Sequence, residues 1–406
     1  MEERKNNYIL TAYRVSAILL CIFLIAAYAG AFNNIADKLE FERGNIPNTS
    51  DFYFCVYHYP QPDAAITALM AFLSLVAVYL ILDSFLFYRF SGIKKSVLVI
   101  LSVIIIFFGT EAVFHKSAEE NRSMFIPHPV WLWQVAPNHR NYHYFDDTTV
   151  NSDKYGFRND DFPVKKPQGQ FRVMVVGDSS SHGFKVKENE TYSVILESLL
   201  KKQHPDKDIL VINAAVPGFT TTQGKLFFDE MGYKFEPDVV ILSFNNDSNP
   251  ERQTDSSRIP EGMLRSVRKI LYQSLIFLEL RKDYVNFQVA RHPEIAVLNP
   301  GEKMTNRVPV GEFKQNIEAI KSKADKTGAK VITIQMPRVH PVPEYTEALR
   351  VVSEKTGCLY IDILSQWQNL PQKELFNPDE LHPTAAGHKK IAESLFELFE
   401  REKLVR

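Results

Sequence analysis

The most informative pattern along the chain is where charge is missing. Residues 15–36 carry no charge, and residues 18–29 are almost wholly apolar. A second uncharged run covers residues 64–82. A third covers residues 96–110, closed by Glu111-Ala112-Val113-Phe114. A membrane-spanning helix needs about 20 mostly apolar residues, and the first two runs meet that length. The third is shorter and spans only if Glu111 sits at the interface, so two or three spans are predicted within residues 1–114. A cleaved signal peptide is the alternative for the first run, but that run is long for one and the other two would remain. Arg4, Lys5 and Arg14 precede the first run, and Arg89, Lys94 and Lys95 lie between the second and third. The intervening loop holds Lys38 and Arg43 diluted by Asp37, Glu40, Glu42 and Asp51. This distribution predicts a cytoplasmic amino terminus, and three spans then put everything after Phe114 outside; two spans would reverse that. The expected location is a bacterial cytoplasmic membrane, with the remainder of the chain extracytoplasmic.

Residues 115–170 read as a linker and lead-in, rich in proline and carrying Trp131 and Trp133, with residues 150–158 ordered. Beyond them the pattern changes to short β-branched runs alternating with helical periodicity. Strands are predicted at 173–176, 209–214, 238–244, 330–336 and 358–363. Helices are predicted at 191–202, with Val194, Ile195, Leu196, Leu199 and Leu200 on the apolar side, and at 221–233, 313–326, 343–356 and 384–404. Strands and helices in alternation imply an α/β fold, a three-layer α/β/α domain around a parallel sheet, spanning residues 171–406. One connection breaks the rhythm. Residues 248–311 far exceed the usual connection of about 4–6 residues. Within this insertion, residues 263–291 mix Arg265, Arg268, Lys269, Arg281 and Lys282 with leucines, isoleucine and phenylalanine. That is either a basic amphipathic helix lying on the membrane or over the active site, or an ordinary helical insert packed on the domain.

Charge and cysteine content narrow the chemistry. With 47 basic and 48 acidic residues the chain lacks the basic excess of a nucleic-acid binder. Its three cysteines, Cys21, Cys55 and Cys358, form neither a disulfide framework nor a metal-ligand spacing. No histidine–carboxylate grouping suggests a metal, and no cofactor is expected.

Four groups fall at or just beyond predicted strand ends: Gly177-Asp178-Ser179, Gly218, Asn246, and Asp379-Glu380-Leu381-His382 before the last helix. In a parallel sheet these carboxyl ends share one edge, where open α/β sheets keep their ligand sites. Gly-Asp-Ser alone also reads as a plain polar turn. Together, however, the groups supply a serine hydroxyl, an imidazole able to take its proton near neutrality, and a carboxylate able to orient that imidazole. A backbone donor at Gly218 and the Asn246 amide could stabilise an oxyanion. Ser180, Ser181, His182, His340 and His388 are competing side chains: His182 is expected at the rim, His340 in a solvated loop near the site edge, and His388 packed or solvent-facing.

The four blocks, in this order and spacing, resemble the SGNH (GDSL-like) hydrolase family over residues 150–404. The resemblance implies a flavodoxin-like sheet, Ser179 as nucleophile with Asp379 and His382 completing the triad, and an oxyanion hole from the Ser179 backbone, Gly218 and Asn246. It also implies that Asp178 supports the turn. One position departs from the family pattern: Phe244 stands where a glycine is usual, which puts the floor of the site and the size of the acyl pocket in question. The expected function is a membrane-anchored serine esterase working through an acyl-enzyme on an acylated glycan or lipid ester. The rivals are an O-acyltransferase modifying cell-envelope glycans or lipids, paired with an integral-membrane acyltransferase, and a non-catalytic binding subunit of the same fold.

Overall fold

The computed structural model describes residues 124–405, apart from 146–147, 276, 279–290, 292–302 and 369, together with Glu111. The three uncharged runs lie outside the described residues. Among the described residues no helix is long and apolar enough to cross a membrane. Contacts divide the chain into two units, Met1–Ser123 with Ile270–Pro300, and Met124–Lys269 with Gly301–Arg406.

The second unit begins with two antiparallel pairs, β1 (Phe125–His128) with β2 (Leu132–Val135), and β3 (Tyr142–Phe145) with β4 (Thr148–Val150). Then β5 (Gln170–Gly177) enters the central sheet, followed by a one-turn helix α1 (Ser179–His182) and by α2 (Tyr192–Gln203). Next come β6 (Asp208–Asn213), α3 (Thr221–Glu230) and β7 (Val239–Ser243). The insertion carries β8 (Pro250–Glu251), α4 (Gly262–Leu271) and β9 (Thr305–Asn306). The chain resumes with α5 (Val310–Thr327), β10 (Lys330–Gln335), α6 (Pro343–Thr356), β11 (Leu359–Asp362), the short helices α7 (Ile363–Gln366) and α8 (Gln372–Leu375), and α9 (Ala385–Arg401).

The sheet order is β11-β10-β7-β5-β6, with every pair parallel. β5, the first strand of this sheet, lies between β6 and β7, so the winding direction reverses beside it. Open parallel sheets bind ligands at such a reversal, outside the carboxyl ends of the strands. Both faces are covered, which is why β5 and β7 read as continuous apolar runs rather than alternating ones. Val173 and Val175 of β5 join Leu196 and Leu200 of α2 and Ile391, Leu395 and Phe399 of α9 in one core. Met174 points the other way, toward Phe228 and Gly232 at the end of α3. The buried side of α2 differs from the periodicity reading: Tyr192 and Ser193 are buried, while Val194 is exposed. Tyr192 is drawn inward by its hydroxyl, which donates to Ser181 Oγ at 2.8 Å, and by its N–H, which donates to the buried His388.

The lead-in is stitched to the sheet and its α1 turn by buried arginines. Arg158 is 2% exposed and donates to the carbonyls of His182, Gly183 and Val186 at 2.9, 2.7 and 2.8 Å. Arg172, on β5, does the same for the carbonyls of Val164, Pro163 and Phe235. A buried guanidinium is tolerated when its fixed fork of donors meets acceptors, and removing it orphans all of them. Arg158→Met should therefore cost about 3 kcal/mol or more of unfolding free energy, with Arg158→Lys recovering only part of it. Urea denaturation followed by tryptophan fluorescence measures both; an Arg158→Met curve superimposing on wild type would remove the brace from the account.

Candidate active site

The site is built from the turn that ends β5. Gly177 brings β5 and β7 together so closely that a Cβ there would lie 2.4 Å from the Ser243 carbonyl oxygen. Asp178 then caps α1, its Oδ1 accepting from the Ser180 N–H at 3.0 Å. Its Oδ2 accepts from the Asn245 N–H at 2.6 Å and from Asn246 Nδ2 at 3.2 Å. Burial pushes this carboxyl up to about 6, against the pull of the Asn245 and Ser180 N–H donors and of Arg338 and Arg307. Asp178 supports the turn and is shut away from any reacting group, 1% exposed.

Of the three consecutive hydroxyls only Ser179 reaches the surface. Ser180 and Ser181 are buried, and Ser181 Oγ is held by Tyr192. Ser179 Oγ lies 2.7 Å from His382 Nε2, and His382 Nδ1 lies 3.0 Å from Asp379 Oδ2. The other Asp379 oxygen accepts from the N–H groups of Leu381 and His382 at 3.1 and 2.9 Å. This loop is tightly wound: Glu380 sits at φ +59° and Asn377 closes the turn by donating to the His382 carbonyl. Phe184 stacks on the imidazole with centroids 4.1 Å apart.

Charge is set to match. Burial pushes Asp379 up, but the N–H donors of His382 and Leu381 and the adjacent imidazole outweigh it, so the carboxyl sits below its usual range. Burial holds His382 below the ordinary histidine value, with Asp379 opposing. An ionised carboxylate accepts from Nδ1–H, which leaves Nε2 as the acceptor facing the serine hydroxyl. This is the geometry in which an imidazole can withdraw the proton of an attacking serine.

The remaining predicted residues are placed by long-range clamps. Gly218 adopts φ +80°, and its carbonyl accepts from Arg307 Nη1 at 2.8 Å. Arg307 is also paired with Asp255 at 2.8 Å and donates to Gln223 Oε1, while Trp133 Nε1 donates to the Pro217 carbonyl at 3.0 Å. The N–H groups of Ser179 and Gly218 meet no acceptor among the described residues. Asn246 Nδ2 splits its donors between Asp178 Oδ2 and the Phe219 carbonyl, both at 3.2 Å, the long end of the normal range. Arg158, Arg307, Asp255 and Trp133 escaped the sequence reading because their partners are distant backbone or buried groups.

Of the three histidine expectations, one is corrected. His182 is not at the rim: it is fully buried, because the whole of α1 after Ser179 is sunk into the domain, with Ser180 and Ser181 buried beside it and Arg158 gripping the His182 and Gly183 carbonyls. His340 is in an exposed loop and pairs with Glu380 at 3.1 Å. His388 is packed, accepting from the Tyr192 N–H.

Phe244 leaves the strand edge toward α3, where its ring tip lies 2.3 Å from the place a Cβ on Gly224 would occupy. It lines a small, partly open pocket together with Asn245, Asp247, Phe313, Arg338 and Tyr345. Its bulk is thus taken up by a missing side chain in the helical layer. Gly224→Ala should destabilise by about 1–3 kcal/mol despite alanine's better helix propensity, because the ring has nowhere to go. Phe244→Leu in the same chain should restore most of the loss, as read by thermal unfolding; a neutral Gly224→Ala would mean that the ring moves freely.

The sequence pattern of the GDSL-like Lipase/Acylhydrolase family matches residues 175–390, more than half of the 406-residue chain. The chain belongs to this family and is a serine hydrolase acting on ester bonds. A comparison with curated protein sequences returns no match. Among solved structures the chain is similar to TesA, with 17% identity, a TM-score of 0.37, and coverage of 57% of this chain and 98% of that one. It is likewise similar to the psychrotrophic esterase EstA from Pseudoalteromonas sp., at 15% identity, TM-score 0.37, and 57% and 97% coverage. A catalytic mutant of the acetylxylan esterase Axe2 from Geobacillus stearothermophilus gives 15% identity, TM-score 0.37, and 56% and 94% coverage.

Proposed function

We propose that the protein is a membrane-anchored esterase in which Ser179, His382 and Asp379 act as a catalytic triad on an acylated glycan or lipid ester outside the cytoplasm. The observation that carries this reading is the continuous hydrogen-bonded chain from Asp379 through His382 to Ser179 at the end of β5. Ser179 Oγ attacks the ester carbonyl carbon while its proton passes to His382 Nε2. The carbonyl oxygen becomes an oxyanion held by the Ser179 and Gly218 N–H groups and by Asn246, whose long bonds to Asp178 and Phe219 yield to a charged acceptor. Collapse breaks the ester C–O bond, and the alcohol leaves with the proton from His382. Water, deprotonated by the same imidazole, then attacks the acyl-enzyme and releases the acid and Ser179.

Passing the acyl group to a sugar hydroxyl instead of water needs only an acceptor that outcompetes water at the second step. The polar, open side of the triad favours keeping this transferase reading: Asp379 is 32% exposed, and the exposed His340–Glu380 pair shares its loop region. The anchor rests on the three uncharged runs and their flanking lysines and arginines.

A fluorophosphonate probe should label the wild-type chain and miss Ser179→Ala, while Ser179→Ala and His382→Ala should each lower p-nitrophenyl ester turnover by about 1,000-fold or more. Labelling that survives Ser179→Ala would place the nucleophile elsewhere. Supplying a glycan acceptor, with acyl-sugar formed in preference to free acid, would favour the transferase.

Acid should switch the enzyme off. The base form of His382 is required, and its burial lowers the pKa, so kcat/KM should fall with decreasing pH through a midpoint below the ordinary histidine value of about 6.5. A midpoint above that value would contradict the burial of the imidazole.

A further inference from the structure

Helix α4 in the insertion is turned inside out. A surface helix ordinarily lays its apolar stripe on the core and shows its polar side to water. In α4 the residues at helical spacing, Met263, Leu264, Val267, Ile270 and Leu271, are 82, 70, 45, 69 and 40% exposed, and no residue of the helix is buried. Its basic side faces the domain instead. Lys269 Nζ lies 2.7 Å from Glu230 at the end of α3, with Arg265 4.0 Å from the same carboxylate. Arg265 Nε donates to the Pro260 carbonyl and Arg268 Nη1 to the Arg258 carbonyl, each at 3.1 Å. Over Gly262–Leu271 the insertion is therefore not packed by its apolar face, while residues 279–290, including Arg281 and Lys282, lie outside the described residues. The ion pair fixes which side of the helix points outward, and that side is a contiguous patch of large aliphatic groups, of the kind that marks a binding surface.

Three features say what covers it. The described domain starts at Met124, so from Phe114, where the third uncharged run closes, the chain reaches at most about 35 Å. Just past α4 the chain meets the residue that closes this run, Ser274 Oγ donating to the Glu111 carboxylate at 3.1 Å and the Leu275 N–H donating to its other oxygen. Finally, Arg268 lies at the edge of the aliphatic stripe on the helical wheel, between the stripe and the side turned to the domain, where a cation suits anionic headgroups at the edge of an apolar layer.

We propose that α4 is an interfacial membrane helix. Met263, Leu264, Val267, Ile270 and Leu271 enter the headgroup–acyl boundary of the bilayer that the chain itself spans, and Lys269 and Arg265 hold the domain to the helix from above. The proposal rests on reading the three uncharged runs as membrane spans, and it adds a second, sideways attachment to them.

The test uses the full chain in proteoliposomes of phosphatidylcholine and phosphatidylglycerol, with Cys21 and Cys55 replaced by alanine. Nitroxide labels are placed by Leu264→Cys, Val267→Cys and, as a control on α2, Lys202→Cys. Flotation after a carbonate wash is read first. A chain that stays with the vesicles upholds the spans, and one that is stripped off overturns both the spans and the proposal. In retained protein, labels at 264 and 267 should lose accessibility to a water-soluble nickel relaxant and gain it to oxygen, while the label at 202 keeps its nickel accessibility. Nickel accessibility at 264 and 267 equal to that at 202 overturns the interfacial helix while leaving the spans intact. Dipolar broadening at 264 that disappears on dilution with unlabelled chain overturns it in favour of contact between copies.

Discussion

The site depends on one buried carboxylate. Asp178 is at once the cap of α1 and the acceptor for Asn245 and Asn246, so the turn carrying Ser179 and the loop carrying Asn246 are two ends of a single hydrogen-bonded unit. A carboxylate enclosed in this way is costly to bury without partners, and each N–H donor that offsets the cost also fixes a loop. Neighbouring carboxylates extend the arrangement. Asp247 accepts from the Thr221 N–H and hydroxyl at the start of α3, and burial raises it to about 7. The Asn246 loop is therefore held from both sides of the sheet edge. The parallel sheet brings the strand ends together, and the buried acids convert that proximity into fixed distances.

What could be read from the sequence was what is locally encoded. The strands and helices announce themselves because both faces of the sheet are covered, so β5 and β7 are short aliphatic runs bounded by turn residues. Ser179, Asp379 and His382 were legible because the chemistry compresses into short blocks in which spacing of a few residues sets geometry, as the Asp379 carboxylate reaching both the N–H and the ring of His382 illustrates. Arg158 and Arg307 were not legible. Each works by donating to carbonyls or acids brought near only by the completed fold, and a carbonyl has no sequence signature.

The misreadings share a cause. His182 was expected outside because it follows the site serine, yet the turn after Ser179 is buried as a whole and held there by Arg158, a partner the local sequence does not show. Val194 was given to the apolar face of α2, but the polar contacts of Tyr192 with Ser181 and His388 set the rotation of that helix instead. Phe244 could be judged only with Gly224 in view, a residue twenty positions away that the fold brings against its ring. Hydrophobic periodicity describes an isolated element, whereas rotation about its axis is decided by the few specific bonds that its neighbours offer.

The insertion leaves and rejoins the domain through a closed neck. β8 and β9 pair Pro250 with Asn306 and Glu251 with Thr305, and directly behind them Asp255 and Arg307 form a buried two-point ion pair that also grips Gly218. Mechanically this ties both ends of the insertion to the Gly218 turn, whatever lies beyond Asp255. The entropy of closing a longer loop grows only with the logarithm of its length. Residues between Asp255 and β9 can therefore lengthen, shorten or change character over evolutionary time without displacing the Gly218 turn. The neck makes the stretch beyond Asp255 an exchangeable cassette, which can diverge while the Gly218 turn stays fixed.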